Sequence, residues 1–266
     1  MDHVGRRIAA RDVTRSFVTT GRSTVHALGP VDLSIGDDEF LCVVGPSGCG
    51  KSTLLKIIAG LLAPSSGEVA VEISRDNRIP IAMVFQDYGI YPWKTVRANV
   101  ELGLRLSGRP PAERRETVDD WLGRLGLTDF ADVYPSALSG GMRQRVSIAR
   151  ALAIDPEVLL MDEPFAALDA QLREVLQDEL LAIWQARRRT VVFVTHSLEE
   201  ALLLGDRVVV MSARPGRVIA DIDVPFERPR SSAIRTDPLF AKLRGELWSS
   251  LHSEVVAQFD AGKDPR

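Results

Sequence analysis

The chain has 266 residues, 45% of them hydrophobic, and a formal charge of −3. That length supports one large domain with a real core, or a domain plus a small appendage. No long basic run appears, which argues against nucleic acid as a partner. Cys42 lies in an apolar run and Cys49 in a glycine loop, so they suggest neither a disulfide framework nor a zinc site and suit a reducing cytoplasm. The opening MDHVGRRIAA has no apolar stretch of signal-peptide length, and no apolar window is long enough to span a bilayer. Any membrane role is therefore expected to come through partners.

In chain order, the first elements read as antiparallel sheet. Val13, Phe17, Val25, Leu28, Val31, Leu33 and Ile35 alternate loosely with polar residues and turn formers. Short apolar, β-branched runs follow at Leu41–Val44, Ile81–Phe85, Val158–Met161, Val191–Val194 and Val208–Met211, and their length favours buried strands. Helical patterns such as Leu172–Trp184 lie between several of them. Strands alternating with helices predict an α/β fold with a mostly parallel sheet and flanking helices.

Residues 95–135 read as mainly helical, with Pro110-Pro111 opening a helix and Gly126 near its end. Arg187-Arg188-Arg189, between a helical pattern and a strand, reads as a solvated turn. In the tail, Leu239, Leu243, Leu247, Leu251, Val255 and Phe259 recur at helical spacing, and Phe240, Trp248 and Val256 widen the stripe. This is an amphipathic helix that packs on its own domain or, alternatively, meets a partner.

The stretch GPSGCGKST covers Gly45, Pro46, Ser47, Gly48, Cys49, Gly50, Lys51, Ser52 and Thr53. It fits GxxxxGK[ST] between a strand and a helix, which is the setting a phosphate loop needs. Glycines let several N–H groups face one anion, and the helix N-terminus adds a favourable dipole. Lys51 supplies charge to the outer phosphates, and Ser52 offers a hydroxyl to Mg²⁺. By itself such a loop fits a kinase, a GTPase or a motor equally well.

Other stretches narrow the choice. The strand Val158–Met161 ends in Asp162 and Glu163. At the carboxyl end of a parallel strand, Asp162 is placed to hold Mg²⁺ and Glu163 to polarise an attacking water. Gln86 follows another strand and can reach Mg²⁺ or a water as a sensor of the γ-phosphate. His196 ends a third and can hydrogen-bond that phosphate. In Leu138-Ser139-Gly140-Gly141-Met142-Arg143-Gln144-Arg145, a serine and two glycines open a helix, a second phosphate site that makes sense if it serves the nucleotide of another copy.

These residues resemble the signature motif of ATP-binding cassette (ABC) proteins, and the likeness covers roughly residues 8–215 with the motifs in family order. It implies a P-loop NTPase core with an N-terminal antiparallel β-subdomain. The implied ATPase domain spans 1–215 with a helical subdomain inserted at about 88–150, and 216–266 form a C-terminal extension. It implies catalysis by Lys51, Glu163 and His196 with ATP and Mg²⁺, and a D-loop at Ala167-Leu168-Asp169 that brings Asp169 to a dimer seam. Phe17 fits either the aromatic that stacks on adenine or a simple core position.

Within the family the chain resembles ATPase subunits of bacterial importers for nitrate, sulfonates and taurine. The stretches Phe85–Trp93, Gly141–Val146, Asp162–Asp169 and Met211–Arg217 carry that likeness. Implied partners are a second copy head to tail, membrane permease subunits and, indirectly, a solute-binding protein. The implied location is peripheral, at the cytoplasmic face of the inner membrane. The aromatic run Tyr88, Ile90, Tyr91, Pro92, Trp93 reads either as a socket for a permease helix or as a local mini-core.

Three departures from the family pattern stand out: Ser197 for the usual Asp after the histidine, Asp38-Glu39 for Gly-Glu, and a short Val71–Pro80 segment. The alternative of a soluble, non-transport ABC ATPase has little room for a coiled coil, since about 110 residues separate Lys51 from Asp162. A GTPase or small-molecule kinase does not account for Ser139-Gly140-Gly141, and a catalytically dead binding module does not account for Glu163 and His196.

Overall fold

A computed structural model of the chain describes residues 6–19, 23–74 and 78–261, the side chains of 257–261 excepted. The chain runs through β1 (Arg6–Val18), β2 (Thr24–Gly36), β3 (Phe40–Val44), α1 (Lys51–Ile58), β4 (Ser66–Val71), β5 (Ile81–Val84), α2 (Val96–Leu106) and α3 (Pro111–Arg124). It continues through α4 (Gly140–Ala153), β6 (Val158–Asp162), α5 (Ala170–Ala186), β7 (Thr190–Val194), α6 (Leu198–Leu204), β8 (Arg207–Met211), β9 (Val218–Asp223) and α7 (Pro238–Ala261). Contacts group these into two compact units, residues 1–72 with 181–266, and residues 73–180.

In the first unit β2, β1 and β4 form an antiparallel sheet in that order, with Ala10 opposite Leu33 and Ile8 opposite Val71. Ile8, Ala10, Val13, Leu28, Val31, Leu33 and Ile35 are buried, as the loose alternation predicts. Phe17 is not, at 37% exposure, which removes the core reading of that position. Strands β7, β3 and β8 pair in parallel, and β3 and β7 are buried along their whole length. Continuous apolar runs are what a strand covered on both faces requires. Phe40 anchors this core edge-on to Trp184 at 5.7 Å and beside Phe193 at 5.9 Å.

The sequence analysis missed β9, which pairs antiparallel with β8. Its residues are alternately half-buried and exposed, so it carries no apolar run. Strand β4 ends at Val71 and pairs with β1, which completes a three-stranded sheet, and part of the short Val71–Pro80 segment that follows lies outside the described residues. Asp38 has φ +55°, the left-handed conformation where glycine is the usual residue and aspartate is tolerated. The neighbouring Glu39 accepts from Gly36 N–H and pairs with Arg207 at 2.8 Å, while burial pushes its carboxyl up.

The arginine triplet is a turn between α5 and β7, but not a solvated one throughout, since Arg189 is buried. Trp184 accounts for much of the order there. Its indole N–H donates to Arg189 O at 2.8 Å, and the guanidinium groups of Arg188 and Arg228 lie within 5.4 and 4.5 Å of its ring. Buried Arg230 ties the following segment down by donating to Gly205 O, Val224 O and Phe226 O. Burial lowers its pKa to about 10, still well above neutral pH.

Helix α7 buries Phe240, Leu243, Leu247 and Leu251 in its own unit, with Phe240 6.1 Å from Phe226 and Arg244 paired to Glu199 at 2.8 Å. The predicted stripe is narrower than expected. Leu239, Trp248, Val255 and Val256 are exposed, and Phe259 lies outside the described side chains. The 3.6-residue period turns these positions away from the face that Leu247 occupies.

In the second unit β5 and β6 pair in parallel, and α2, α3 and α4 pack through Val96, Val100, Leu104, Val118, Leu122 and Val146. Pro111 opens α3 where its missing N–H costs nothing, and Gly126 follows the helix with φ +61°. Arg145 donates to the carbonyl of Leu125 at 2.7 Å and so satisfies a terminal acceptor.

Leu247→Ala is expected to destabilise the protein by about 2–5 kcal/mol, because the cavity sits in a closed apolar stripe. Trp248→Ala on the outer face should cost about 1 kcal/mol or less. Denaturant midpoints of the two variants check this; equal losses would mean α7 is seated on the wrong face.

Candidate nucleotide site

Strand β3 ends at Val44 and the chain turns through the glycine loop into α1. Gly48 has φ +74° and Gly50 φ +105°, conformations that side chains rarely adopt. At Gly50 there is also no space, for a Cβ would meet Leu28 Cδ2 at 2.6 Å and Ala27 O at 2.8 Å. Gly50 caps α1 without any side-chain hydrogen bond, as suits a helix N-terminus that receives an anion.

Lys51 is only 6% exposed. Its Nζ donates to Gly45 O at 2.8 Å and Pro46 O at 2.9 Å and lies 3.8 Å from Cys49 Sγ. Those partners are neutral atoms, so the ammonium is desolvated without being cancelled by them. That is how a cradle for an anion is built. Burial raises the Cys49 thiol pKa despite the adjacent ammonium, which keeps it a thiol. Ser47 and Gly48 are exposed, and Ser52 and Thr53 are half-buried on the first turn of α1. Phe17 lies on β1 with the Arg15 guanidinium 4.6 Å from its ring centre.

His196 is exposed just beyond β7. A hydroxyl relay shapes its backbone: Ser197 N–H donates to Thr195 Oγ1 at 3.0 Å, and that hydroxyl donates to buried Glu200. Ser197 caps α6 by accepting from Glu200 N–H at 3.3 Å. Serine is among the residues that favour such a capping position, as aspartate is.

The second unit holds the acidic pair. Asp162 is buried at the end of β6, and Glu163 follows with φ +47°, a strained conformation for a non-glycine residue. Strain of this kind concentrates at functional sites. Gln86 Nε2 lies 3.5 Å from Glu163 Oε2, a long contact that brings two of the predicted residues together. Ser139 caps α4, its Oγ accepting from Met142 N–H at 3.2 Å while its own proton remains available to donate. A Cβ on Gly140 would lie 3.2 Å from Tyr88 Oη, and one on Gly141 3.1 Å from Leu168 Cδ2, so both glycines sit in close contact with neighbouring side chains. Asp169 caps α5 by accepting from Leu172 N–H at 2.9 Å.

The loop after Gln86 is not a mini-core, since Trp93 is 70% exposed and its ring lies 5.5 Å from that of Tyr91, itself exposed, at a tilt of 58°. Two residues that the sequence analysis missed hold it open. Buried Asn99 accepts from Tyr91 N–H at 2.8 Å and donates to the carbonyls of Tyr91, Lys94 and Thr95. Arg150 donates to Gly89 O at 2.6 Å and Tyr88 O at 3.3 Å. The sequence signal for Asn99 was weak: one polar residue on the apolar face of α2.

Mg²⁺ takes one or two carboxylates together with substrate oxygens and water. Within the first unit Ser52 carries a hydroxyl of that kind, and within the second Gln86 carries an amide and Asp162 a carboxylate. None of the described helices is long and apolar enough to cross a membrane.

Comparison with known proteins agrees with this chemistry. The family model for the ABC transporter matches residues 28–166. A taurine import ATP-binding protein of Rhizobium johnstonii is 48% identical over 238 residues, covering 86% of this chain and 90% of that protein. A nitrate import ATP-binding protein of Synechococcus elongatus is 45% identical over 248 residues, 91% of this chain and 90% of its own. Among solved structures, a dimeric ATP-binding cassette in a post-hydrolysis state, bound to ADP and Pi, aligns with TM-score 0.74 and 34% identity over 83% of this chain and all of that one. Glycine loop, signature helix and acidic strand end thus have one shared explanation: the chain belongs to the ABC transporter family, as an ATP-binding subunit that hydrolyses ATP.

Proposed function

We propose that this subunit energises an importer for a small solute such as nitrate, a sulfonate or taurine. The relatives named for nitrate and taurine import support that choice. One observation carries the chemistry: a buried ammonium, Lys51, donating to the neutral carbonyls of Gly45 and Pro46 at the start of a helix that has no side-chain cap.

In this reading the residues Gly45–Thr53 hold the ATP phosphates, and Phe17 offers its exposed face to the adenine. Ser52, Gln86 and Asp162 hold Mg²⁺, which when bound offsets charge on the phosphate oxygens. Glu163 accepts a proton from the attacking water, with Gln86 beside its carboxylate. His196 donates to or accepts from the terminal phosphate and its water. Ser139, Gly140 and Gly141 present a hydroxyl and helix N-terminal N–H groups to the nucleotide of a second copy, and Asp169 lies on the same seam.

Nucleotide is then part of the contact between copies, and its hydrolysis weakens that contact. A device of this kind converts hydrolysis into opening and closing. The dimeric state of the solved cassette supports it. The motion reaches permease subunits at Gln86–Trp93, where an exposed aromatic pair on a braced loop is suited to receive a short helix. The subunit then sits peripherally on the cytoplasmic face of the inner membrane, and a solute-binding protein selects the cargo.

Glu163→Gln should leave ATP binding intact and lower turnover by about 10²- to 10⁴-fold, since an amide cannot take the proton. It should also trap a dimer with Mg-ATP, seen as a doubled mass by light scattering; wild-type phosphate release would remove Glu163 from this role. Trp93→Ala should abolish solute uptake in cells while ATPase activity of the purified subunit stays within about twofold, the truncation of a docking anchor. Undiminished uptake would rule out that socket.

A further inference from the structure

We propose that Arg214 is a positioning residue for the glycine loop, and that the C-terminal helix α7 supports nucleotide affinity through it. This rests on the reading of Gly45–Thr53 as the phosphate-holding loop.

The chain leaves β8 at Met211 and turns back toward β9 through residues 212–217. This turn lies directly against the glycine loop. Arg214 Nε and Nη2 both donate to Gly48 O, at 3.1 and 3.0 Å. A Cβ on Gly216 would come within 1.9 Å of Cys49 O, and one on Gly45 within 2.9 Å of Met211 O, so the two backbones touch on both sides of that grip. The turn is also stitched to β2. Gly216 N–H donates to Ala27 O at 3.0 Å, and its carbonyl accepts from Gly29 N–H at 3.0 Å. At its other end, Ala213 N–H donates to Glu254 Oε2 on α7 at 2.7 Å. One carboxylate, one peptide, one guanidinium and one loop carbonyl thus follow in series from the C-terminal helix to the anion cradle.

The carbonyl that Arg214 holds matters for anion binding. A phosphate loop works when its N–H groups face the anion and its carbonyls face away. Gly48, with φ +74°, is free to turn its peptide either way, so something outside the loop must bias it. The N–H of that same peptide belongs to Cys49 and makes only a long contact, 3.4 Å, to Pro46 O. A cationic fork on the oxygen holds the plane and polarises that N–H as a donor. The fork itself depends on the turn beneath it, and Glu254 fixes the Ser212–Ala213 peptide, one position before the peptide that leads into Arg214.

Variants of the full-length chain, with trinitrophenyl-ATP as a fluorescent probe, test this. Arg214→Ala should raise the probe Kd about five- to tenfold, the scale of a partly exposed charge-assisted hydrogen bond. Arg214→Lys should recover part of that loss, since an ammonium makes one of the two bonds. Glu254→Gln should raise Kd about two- to threefold, and the Arg214→Ala/Glu254→Gln double variant should bind no more weakly than Arg214→Ala, a coupling of neighbours in one series. Nucleotide-free melting temperatures should stay at the parent value. Unchanged affinity in Arg214→Ala, beside Lys51→Ala that no longer binds the probe, overturns this proposal alone. Probe binding retained by Lys51→Ala overturns the phosphate-loop reading and this proposal with it. Weaker binding with an equal fall in melting temperature, unrelieved by lysine, makes Arg214 merely structural and also overturns it. Additive losses in the double variant overturn the part assigned to α7.

Discussion

A cation kept out of water without an opposite charge among the atoms that hold it is the constraint on which the rest of this molecule depends. The Lys51 ammonium is held by Gly45 O and Pro46 O, and those carbonyls belong to the glycine loop itself. Burying such a charge is unfavourable unless something compensates it. The surrounding structure is correspondingly over-determined. Gly45 lies under Met211, Gly50 against Ala27 and Leu28, and Gly216 against Cys49, each without space for another carbon. Parallel strands β7, β3 and β8, buried throughout their apolar runs, supply the rigid platform.

The same economy of small residues and short hydrogen bonds recurs wherever a residue of the proposed site is placed. Glu163 is carried on a strained backbone immediately after a buried strand, and Ser139 and Asp169 each open a helix as its cap. His196 is bracketed by Thr195 and Ser197, whose hydroxyls are tied to Glu200. Polar groups so engaged lose little further freedom when a ligand arrives, which is the physical content of preorganisation.

The departures from the family pattern show which features are replaceable. Asp38 takes a left-handed turn where glycine is usual, and Ser197 caps α6 where aspartate is usual. In both places the backbone geometry survives because a second residue type can adopt it: aspartate tolerates positive φ, and serine accepts from a helix N–H as well as aspartate does. Neither change removes a group from the chemistry.

The sequence by itself determined the strand core, the glycine loop, the acidic strand end and the signature helix. Each of these is a local pattern: a β-branched run, a spaced set of glycines around a lysine, a capping serine before a helix. The half-exposed strand β9 escaped because it carries no apolar run, and Asn99, Arg150 and Arg214 escaped because their partners are backbone carbonyls or amides that no side-chain pattern announces. Tertiary structure alone decided that Phe17 and Trp93 are exposed, that Arg189 is buried, and that only part of the apolar stripe on α7 faces inward. Burial depends on what a chain distant in sequence happens to cover, and periodicity specifies only which residues share a face.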